Sequence, residues 1–328
     1  MSTNTKKNID NSVKEYDGNT SKNINDFVRG YEWMKHMPDS MKLTDLSLPG
    51  THNSAAGGYD SFEGGIGSDY AECQKKTVKH QLLTGYRFFD LRIDCDAEDS
   101  GKGKMKIFHG DYYCCTLQAV MSDVNEFLEK YPSECVLIRF KQESDGSSES
   151  TWVNTFHQYM RDFKGGTDNL PHEHYMYVPS RSSLPTLGQV RGKFLVVSNV
   201  SELDGFRWSN AEVQDDYNPS SYTAKKNRFR EHLARSVMAP AGNNDLYINF
   251  ASGYIAPSGP DAMAENMLPH VSDLMKPGRW DDFGQRPVDW FRTGAIMLDI
   301  PHVKWEDDYH KYAEKIYLTN KDLYHLGS

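Results

Sequence analysis

The chain predicts an α/β fold, a single (β/α) barrel of the TIM type. Three observations lead there: short β-rich runs recur along its length, amphipathic stretches alternate with them, and no linker or shift of composition divides the 328 residues. The runs are KLTDLSL at 42–48, YRFFDLRI at 86–93, MKIFH at 105–109, CVLIRFK at 135–141, KFLVVSN at 193–199, LYINFAS at 246–252 and AIMLDI at 295–300. Helical periodicity fills 117–131, 150–163, 222–237, 261–275 and 307–318. Strand followed by helix, repeated this often, implies a parallel sheet with helices outside and functional groups at the C-terminal strand ends. A doubly wound open sheet is the alternative, although no Gly-rich phosphate loop follows the first strand. Residues 1–24 are polar and read as a tail or surface arm, and residues 25–328 as the barrel domain.

Composition narrows the function classes. Hydrophobic residues make up 38% and aromatic residues 12%, too many for a disordered chain. No run reaches the roughly 18–20 apolar residues of a membrane span, and the first turns of sequence lack the apolar core of a secretory signal. Thirty-seven basic against 46 acidic residues leave a net charge of −9, which argues against nucleic acid as a partner. The cysteines at 73, 95, 114, 115 and 135 show no metal-binding spacing, and the vicinal Cys114 and Cys115 read as half-buried residues of a strand edge.

The polar groups that follow each apolar run should share one mouth of the barrel. They are His52 and Asn53 after the first, Arg92 within the second, His109 at the third, Lys141 at the fourth and Asp299 at the last. Two imidazoles, a guanidinium and a carboxylate suit phosphodiester cleavage without a metal. One histidine takes a proton from a hydroxyl nucleophile, the other gives one to the leaving alkoxide, and the arginine holds the phosphoryl oxygens. Asp299 is placed to fix the tautomer of the base. An arginine inside an apolar strand also needs an acidic partner or an anionic ligand, and Asp90 could satisfy it structurally. His172 and His174, in PHEHY, read as surface residues of a loop.

Several longer segments resemble those of the bacterial phosphatidylinositol-specific phospholipases C: LSLPGTHNS (46–54), GYRFFDLRI (85–93), IFHGDYY (107–113), FLEKYPSECVLIRFKQE (127–143), RGKFLVV (191–197), VQDDY (213–217), LYINFAS (246–252) and LDI (298–300). They occur in that family's order over roughly residues 31 to 320. The resemblance implies a distorted, incompletely closed barrel that cleaves phosphatidylinositol to diacylglycerol and inositol 1,2-cyclic phosphate and slowly opens the cyclic ester. It also implies roles: His52 as base, His109 as acid, Arg92 on the phosphate, Asp299 orienting His52, and Lys141, Asp215 and Tyr217 on the inositol ring. An intramolecular hydroxyl nucleophile has a large effective-molarity advantage, so a cyclic product is chemically sensible.

Two positions depart from that pattern. Asn53 stands where the bacterial enzymes carry an aspartate that assists the acid, so His109 should find a different hydrogen bond. Asn199 stands where an arginine approaches the inositol. No metal and no cofactor is expected, because Arg92 and Lys141 occupy positions that would repel a calcium ion. The implied partner is the phosphatidylinositol head group at a membrane surface, met transiently by a monomer, with glycosylphosphatidylinositol anchors as a second candidate substrate. Residues 54–70 and 253–259, the latter with Tyr254 and Ile255, are candidate rim segments for that contact. The resemblance implies secretion; without a signal segment in the chain, a cytoplasmic location is the alternative. Two other functions stay open on the residues alone: a metal-free phosphodiesterase acting on another diester, and a barrel that binds inositol phosphates without turnover.

Overall fold

Thirteen strands and six α-helices are present in the computed structural model, which describes residues 29–62, 70–96, 101–143, 146–276, 279–280, 291–300 and 308–320. The proposed tail at 1–24 lies outside the described residues. The strands are β1 (Ser47–Thr51), β2 (Phe88–Cys95), β3 (Met105–His109), β4 (Tyr112–Thr116), β5 (Cys135–Gln142), β6 (Lys164–Gly165), β7 (Leu170–Pro171), β8 (Met176–Tyr177), β9 (Lys193–Ser198), β10 (Phe206–Arg207), β11 (Glu212–Gln214), β12 (Tyr247–Phe250) and β13 (Gly294–Leu298).

Eight of them form one curved parallel sheet in the order β10-β9-β5-β2-β1-β13-β12-β11. Among the described residues no ladder joins β10 to β11, so the barrel is distorted and incompletely closed, with its two edges there. The first and last strands in sequence meet along their whole length, from Ser47 opposite Gly294 to Thr51 opposite Leu298. Gly50 is dictated by that junction, because a β-carbon at this position would lie 2.9 Å from the Phe88 carbonyl oxygen of β2 and press on Met297 of β13.

The helices are α1 (Val78–Leu83), α2 (Leu117–Lys130), α3 (Glu149–Asp162), α4 (Tyr222–Met238), α5 (Pro260–Leu274) and α6 (Asp308–Tyr317). Their starts are written locally. Thr77, Thr116, Ser148 and Ser221 each accept a hydrogen bond from the third backbone N–H of the helix that follows, and α5 opens with Pro260 at its first position. No described helix is long and apolar enough to cross a membrane.

At the end of the barrel away from the site, Arg87 and Glu134 form a fully buried ion pair at 2.7 Å. The guanidinium also donates to the carbonyls of Gly30, Leu82 and Tyr86, and the carboxylate accepts from the backbone of Met34 and Lys35. This satisfaction of both ions is what makes the burial tolerable.

Several expectations change. The run at 42–48 splits: Leu43–Asp45 is a 3₁₀ turn and only the end enters β1. The run at 105–109 is no barrel strand; β3 and β4 form an antiparallel hairpin laid against the end of β2. Cys114 and Cys115, expected half buried, are fully buried in β4. All five cysteines are free thiols. His172, expected on the surface, is fully buried in a short 3₁₀ turn, whereas His174 is exposed. The polar packing of the His172 ring explains the difference: Asn125 Nδ2 donates to Nδ1 at 2.9 Å and Nε2 donates to Gln118 Oε1 at 3.2 Å.

Candidate active site

His52 follows directly on β1, and Asp299 directly on β13, so the pairing of these two strands sets the two side chains side by side. His52 Nδ1 lies 2.9 Å from Asp299 Oδ1, with both groups buried. The proton between them therefore sits on Nδ1, and the lone pair of Nε2 points away from the carboxylate. Arg92, on the neighbouring strand β2, donates from Nη2 to that nitrogen at 3.1 Å. The guanidinium is steadied from behind by Glu143 at 3.5 Å and by Asp90 at 3.8 Å.

Asp90 is the buried anion of the site. It pairs with Arg139 at 3.2 Å and accepts from the Asn53 backbone at 3.3 Å. Burial acts to raise its pKa, but Arg139 and then Arg92 outweigh this and hold the carboxyl down at about 2. Asp90 is thus shared between two arginines, and Arg92 keeps part of its charge for a ligand. Arg139 also stacks on Trp208, its guanidinium carbon 3.8 Å from the ring centre.

His109 is delivered by the hairpin. The antiparallel register, with Ile93 opposite Ile107, turns the chain back so that His109 returns toward the part of β2 that carries Arg92. Its ring centre lies 6.2 Å from that of His52. Nδ1 donates to the Ala71 carbonyl at 2.7 Å and has the Cys73 thiol at 3.7 Å. Burial pushes the imidazole pKa down, and the positive neighbours His52 and Arg92 add to the shift against the Ala71 hydrogen bond. The different hydrogen bond expected for the acid is therefore a main-chain carbonyl. The Asn53 side-chain Nδ2 lies 3.8 Å from Cys73 Sγ, and the residue's φ of 40° is a left-handed turn just beyond His52.

The remaining predicted groups line the same mouth less tightly. Tyr217 puts its ring 6.2 Å from that of His52, and its hydroxyl is pushed up to about 12 by burial and by Cys73 and Asp299. Phe250 packs edge-on to His52 at 5.8 Å. Lys141 is paired with Glu143 at 2.8 Å, so the two cations Arg92 and Lys141 share one carboxylate. Asp215, next to β11, is exposed, and Asn199, following β9, is half-buried with its backbone N–H on the Phe140 carbonyl.

Sequence reasoning missed three contributors. The Ala71 carbonyl carries no side-chain signal at all. Gln74, fully buried, donates from Nε2 to the carbonyls of both His52 and Leu298 at 2.9 Å, clamping the two strand ends that carry His52 and Asp299. Lys225 of α4 sits buried near Asp215 and Asp216, and burial lowers its pKa to about 8 against the pull of those acids.

A distorted (β/α) barrel that gathers two histidines, an arginine and an aspartate at its C-terminal mouth is the class that this fold and these groups define. Residues 66–199 match the family model described as phosphatidylinositol-specific phospholipase C, X domain. A 1-phosphatidylinositol phosphodiesterase of Staphylococcus aureus is 24% identical over 88% of this chain and 94% of its own length. One of Listeria monocytogenes is 28% identical over 71% of this chain and 72% of its own. The solved phospholipase C of Listeria monocytogenes superposes with a TM-score of 0.65 at 22% identity, covering 90% of this chain and all of that one. A Staphylococcus aureus phospholipase C structure gives 0.70 at 21% identity, covering 91% and 99%. These likenesses confirm the incompletely closed barrel.

Proposed function

We propose that the chain is a phosphodiester lyase that cleaves phosphatidylinositol to diacylglycerol and inositol 1,2-cyclic phosphate by acid/base catalysis with His52 and His109, and that it opens the cyclic ester slowly. The observation that carries this reading is the chain Asp299–His52–Arg92, in which one ring nitrogen is fixed by a carboxylate and the other meets a guanidinium. His52 Nε2 takes the proton of the inositol 2-hydroxyl, whose oxygen forms a bond to phosphorus. The bond from phosphorus to the diacylglycerol oxygen breaks, and that oxygen takes a proton from His109. Since His109 Nδ1 is held by Ala71, the transferable proton is the one on Nε2.

Arg92 serves the phosphoryl group. With a diester bound, its Nη2 exchanges the His52 nitrogen for a phosphoryl oxygen, which frees the base and neutralises charge in one movement. Tyr217 offers a ring face to the inositol, and Lys141, Asp215 and Asn199 are the polar groups nearest the ring hydroxyls. Residues 63–69 of the first rim segment lie outside the described residues; its last residue, the exposed Tyr70, has its ring 6.4 Å from Tyr254 and its hydroxyl on the Pro257 carbonyl. We assign the two tyrosines to transient contact with the lipid surface, where tyrosine is at home.

The test is phosphorus NMR of the protein with phosphatidylinositol in mixed micelles, once with excess chelator and once with calcium. A five-membered cyclic phosphate signal in chelator supports the reading. A signal that needs calcium, or none in either tube with the fold intact, overturns it.

A further inference from the structure

Cys73 is a buried thiol inside the catalytic mouth for which the proposed reaction has no use. Its backbone is fixed on two sides: its N–H donates to Ala56, and its carbonyl accepts from Ile300, the residue after Asp299. Gln74, the next residue, holds the His52 and Leu298 carbonyls. The sulfur is thereby anchored beside the His52–Asp299 pair. One nitrogen of His52, Cys73 Sγ and a carboxylate oxygen of Asp299 lie within 4.8 Å of one another, all three residues buried.

A second feature borders the same place, the buried amide of Asn53, which as placed turns its nitrogen toward the sulfur. Asn53 is 3% exposed and its Oδ1 has no hydrogen-bond partner, while the Nδ2 of the same amide lies 3.8 Å from Cys73 Sγ. Turning the amide over exchanges these two atoms and presents a carbonyl oxygen toward the sulfur. A buried oxygen without a donor is costly, so it is a standing invitation to a cation.

We propose that His52, Cys73 and Asp299, with the Asn53 carboxamide oxygen as fourth donor, bind a thiophilic divalent cation of the Zn²⁺ type, and that occupancy switches the catalytic base off. The donor chemistry is nitrogen, sulfur and oxygen, which suits Zn²⁺ in a tetrahedral shell. Neighbouring ligand atoms in such a shell stand about 3.3–3.5 Å apart, so a modest contraction of side chains around the ion completes it. Carboxylate and thiolate together neutralise the two positive charges. Arg92 approaches the opposite ring nitrogen, Nε2, and has Glu143 and Asp90 as counter-charges, so its Nη2 gives up that nitrogen when the cation shifts the ring proton there. Ca²⁺ and Mg²⁺, which want six or more oxygens or several waters, are poorly served by this set.

The proton count is simple. The cation takes His52 Nδ1, whose proton moves to Nε2 of the neutral ring, and it takes Cys73 Sγ, whose proton is released to solvent. With a proton on Nε2 the ring has no lone pair left for a hydroxyl. This switching step rests on the reading of His52 as base; the binding itself does not.

The experiment uses the full chain, stripped with chelator and free of lipid, titrated with Co²⁺ and then Zn²⁺. One equivalent of Co²⁺ should give tetrahedral visible bands and a thiolate charge-transfer absorption in the near ultraviolet, with release of a proton. Zn²⁺ should displace it and Ca²⁺ should not. Cys73→Ser should lose the charge-transfer absorption and Cys95→Ser should keep it. Because a variant can misfold, the zinc-loaded wild type is also examined by X-ray absorption, where one sulfur neighbour at about 2.3 Å is expected. No sulfur neighbour, or a charge-transfer band that survives in folded Cys73→Ser, overturns the site. Zinc-loaded protein should turn over about a hundredfold or more slowly than in chelator; undiminished turnover overturns the switch, and absence of turnover in chelator counts against the lyase reading alone.

Discussion

The rings of His52 and His109 stand nearly perpendicular, with centres 6.2 Å apart and planes at 83°. At that spacing, hydrogen bonds from both rings can converge on one phosphodiester. In the proposed reaction, His52 and His109 act as base and acid in the same displacement. Replacing either histidine by alanine should lower kcat by about 10²–10⁴ with the far-ultraviolet circular dichroism unchanged. The double variant should be far less than multiplicative, because the two groups serve one step. A variant with wild-type turnover would remove its histidine from the mechanism.

His109 should titrate below the ordinary imidazole value of about 6.5, since burial and two positive neighbours lower it. An anion that fills the mouth favours the protonated ring and raises this pKa. Affinity for inositol 1-phosphate should therefore be highest at acidic pH and fall as pH rises through the depressed free value, with proton uptake on binding. Calorimetry in buffers of different ionisation enthalpy measures the uptake, and binding without any proton transfer would contradict the assignment.

Asn53→Asp places a carboxylate where only an amide now faces the Cys73 sulfur, beyond which lies His109. The added negative charge should raise the His109 pKa, read by NMR of the ring protons, and raise turnover by up to about tenfold. An unmoved His109 resonance would show that this position does not communicate with the acid.

Acid should weaken the fold through His172. Its pKa is lowered to about 4 by burial, against about 6.5 when unfolded. Protonation would put a hydrogen on Nδ1, which now accepts from Asn125. The folded pKa is the lower one, so this contribution is intact above about pH 6.5 and is lost as pH falls toward 4, at up to about 1.4 kcal/mol per pH unit. Urea unfolding midpoints at neutral and mildly acidic pH should differ accordingly, and less in His172→Asn.

The rim tyrosines should matter for vesicles and not for dissolved substrate. Tyr70→Ser with Tyr254→Ser should weaken sedimentation with phosphatidylcholine vesicles several-fold while leaving cleavage of a short-chain monomeric substrate intact. With a net charge of −9 the contact should also be insensitive to salt. Equal losses on both substrates would place these rings in the reaction instead.

The barrel was legible wherever a strand is long and rich in apolar residues, as in Phe88–Cys95 and Cys135–Gln142. The strands that decide how far it closes, Phe206–Arg207 and Glu212–Gln214, are two and three residues long and too short to carry a period. The hairpin nature of Met105–His109 was equally hidden, since an apolar run does not say which way its partner runs. In the site, His52, Arg92, His109 and Asp299 stood out because they end or interrupt apolar runs. Gln74 and the Ala71 carbonyl did not, because a loop brings them in and their role is one of hydrogen bonding at the backbone. His172 was misjudged for a related reason: its buried neighbours Gln118 and Asn125 come from α2, far away in sequence.

The order of the sheet separates two kinds of position. His52, Arg92 and Asp299 arise from β1, β2 and β13, in the middle of the eight-strand path, each flanked on both sides by a paired strand. Asp215 and Tyr217 follow β11, which is one free border of the seam. A change of chain length near that border disturbs one neighbour, whereas the same change at the centre disturbs two and the proton-transfer geometry with them. On the proposed function, the share of head-group selectivity that falls to Asp215 and Tyr217 can thus drift or be engineered at the slit with the centre of the sheet left intact, and libraries aimed at new inositol-type substrates belong on that side.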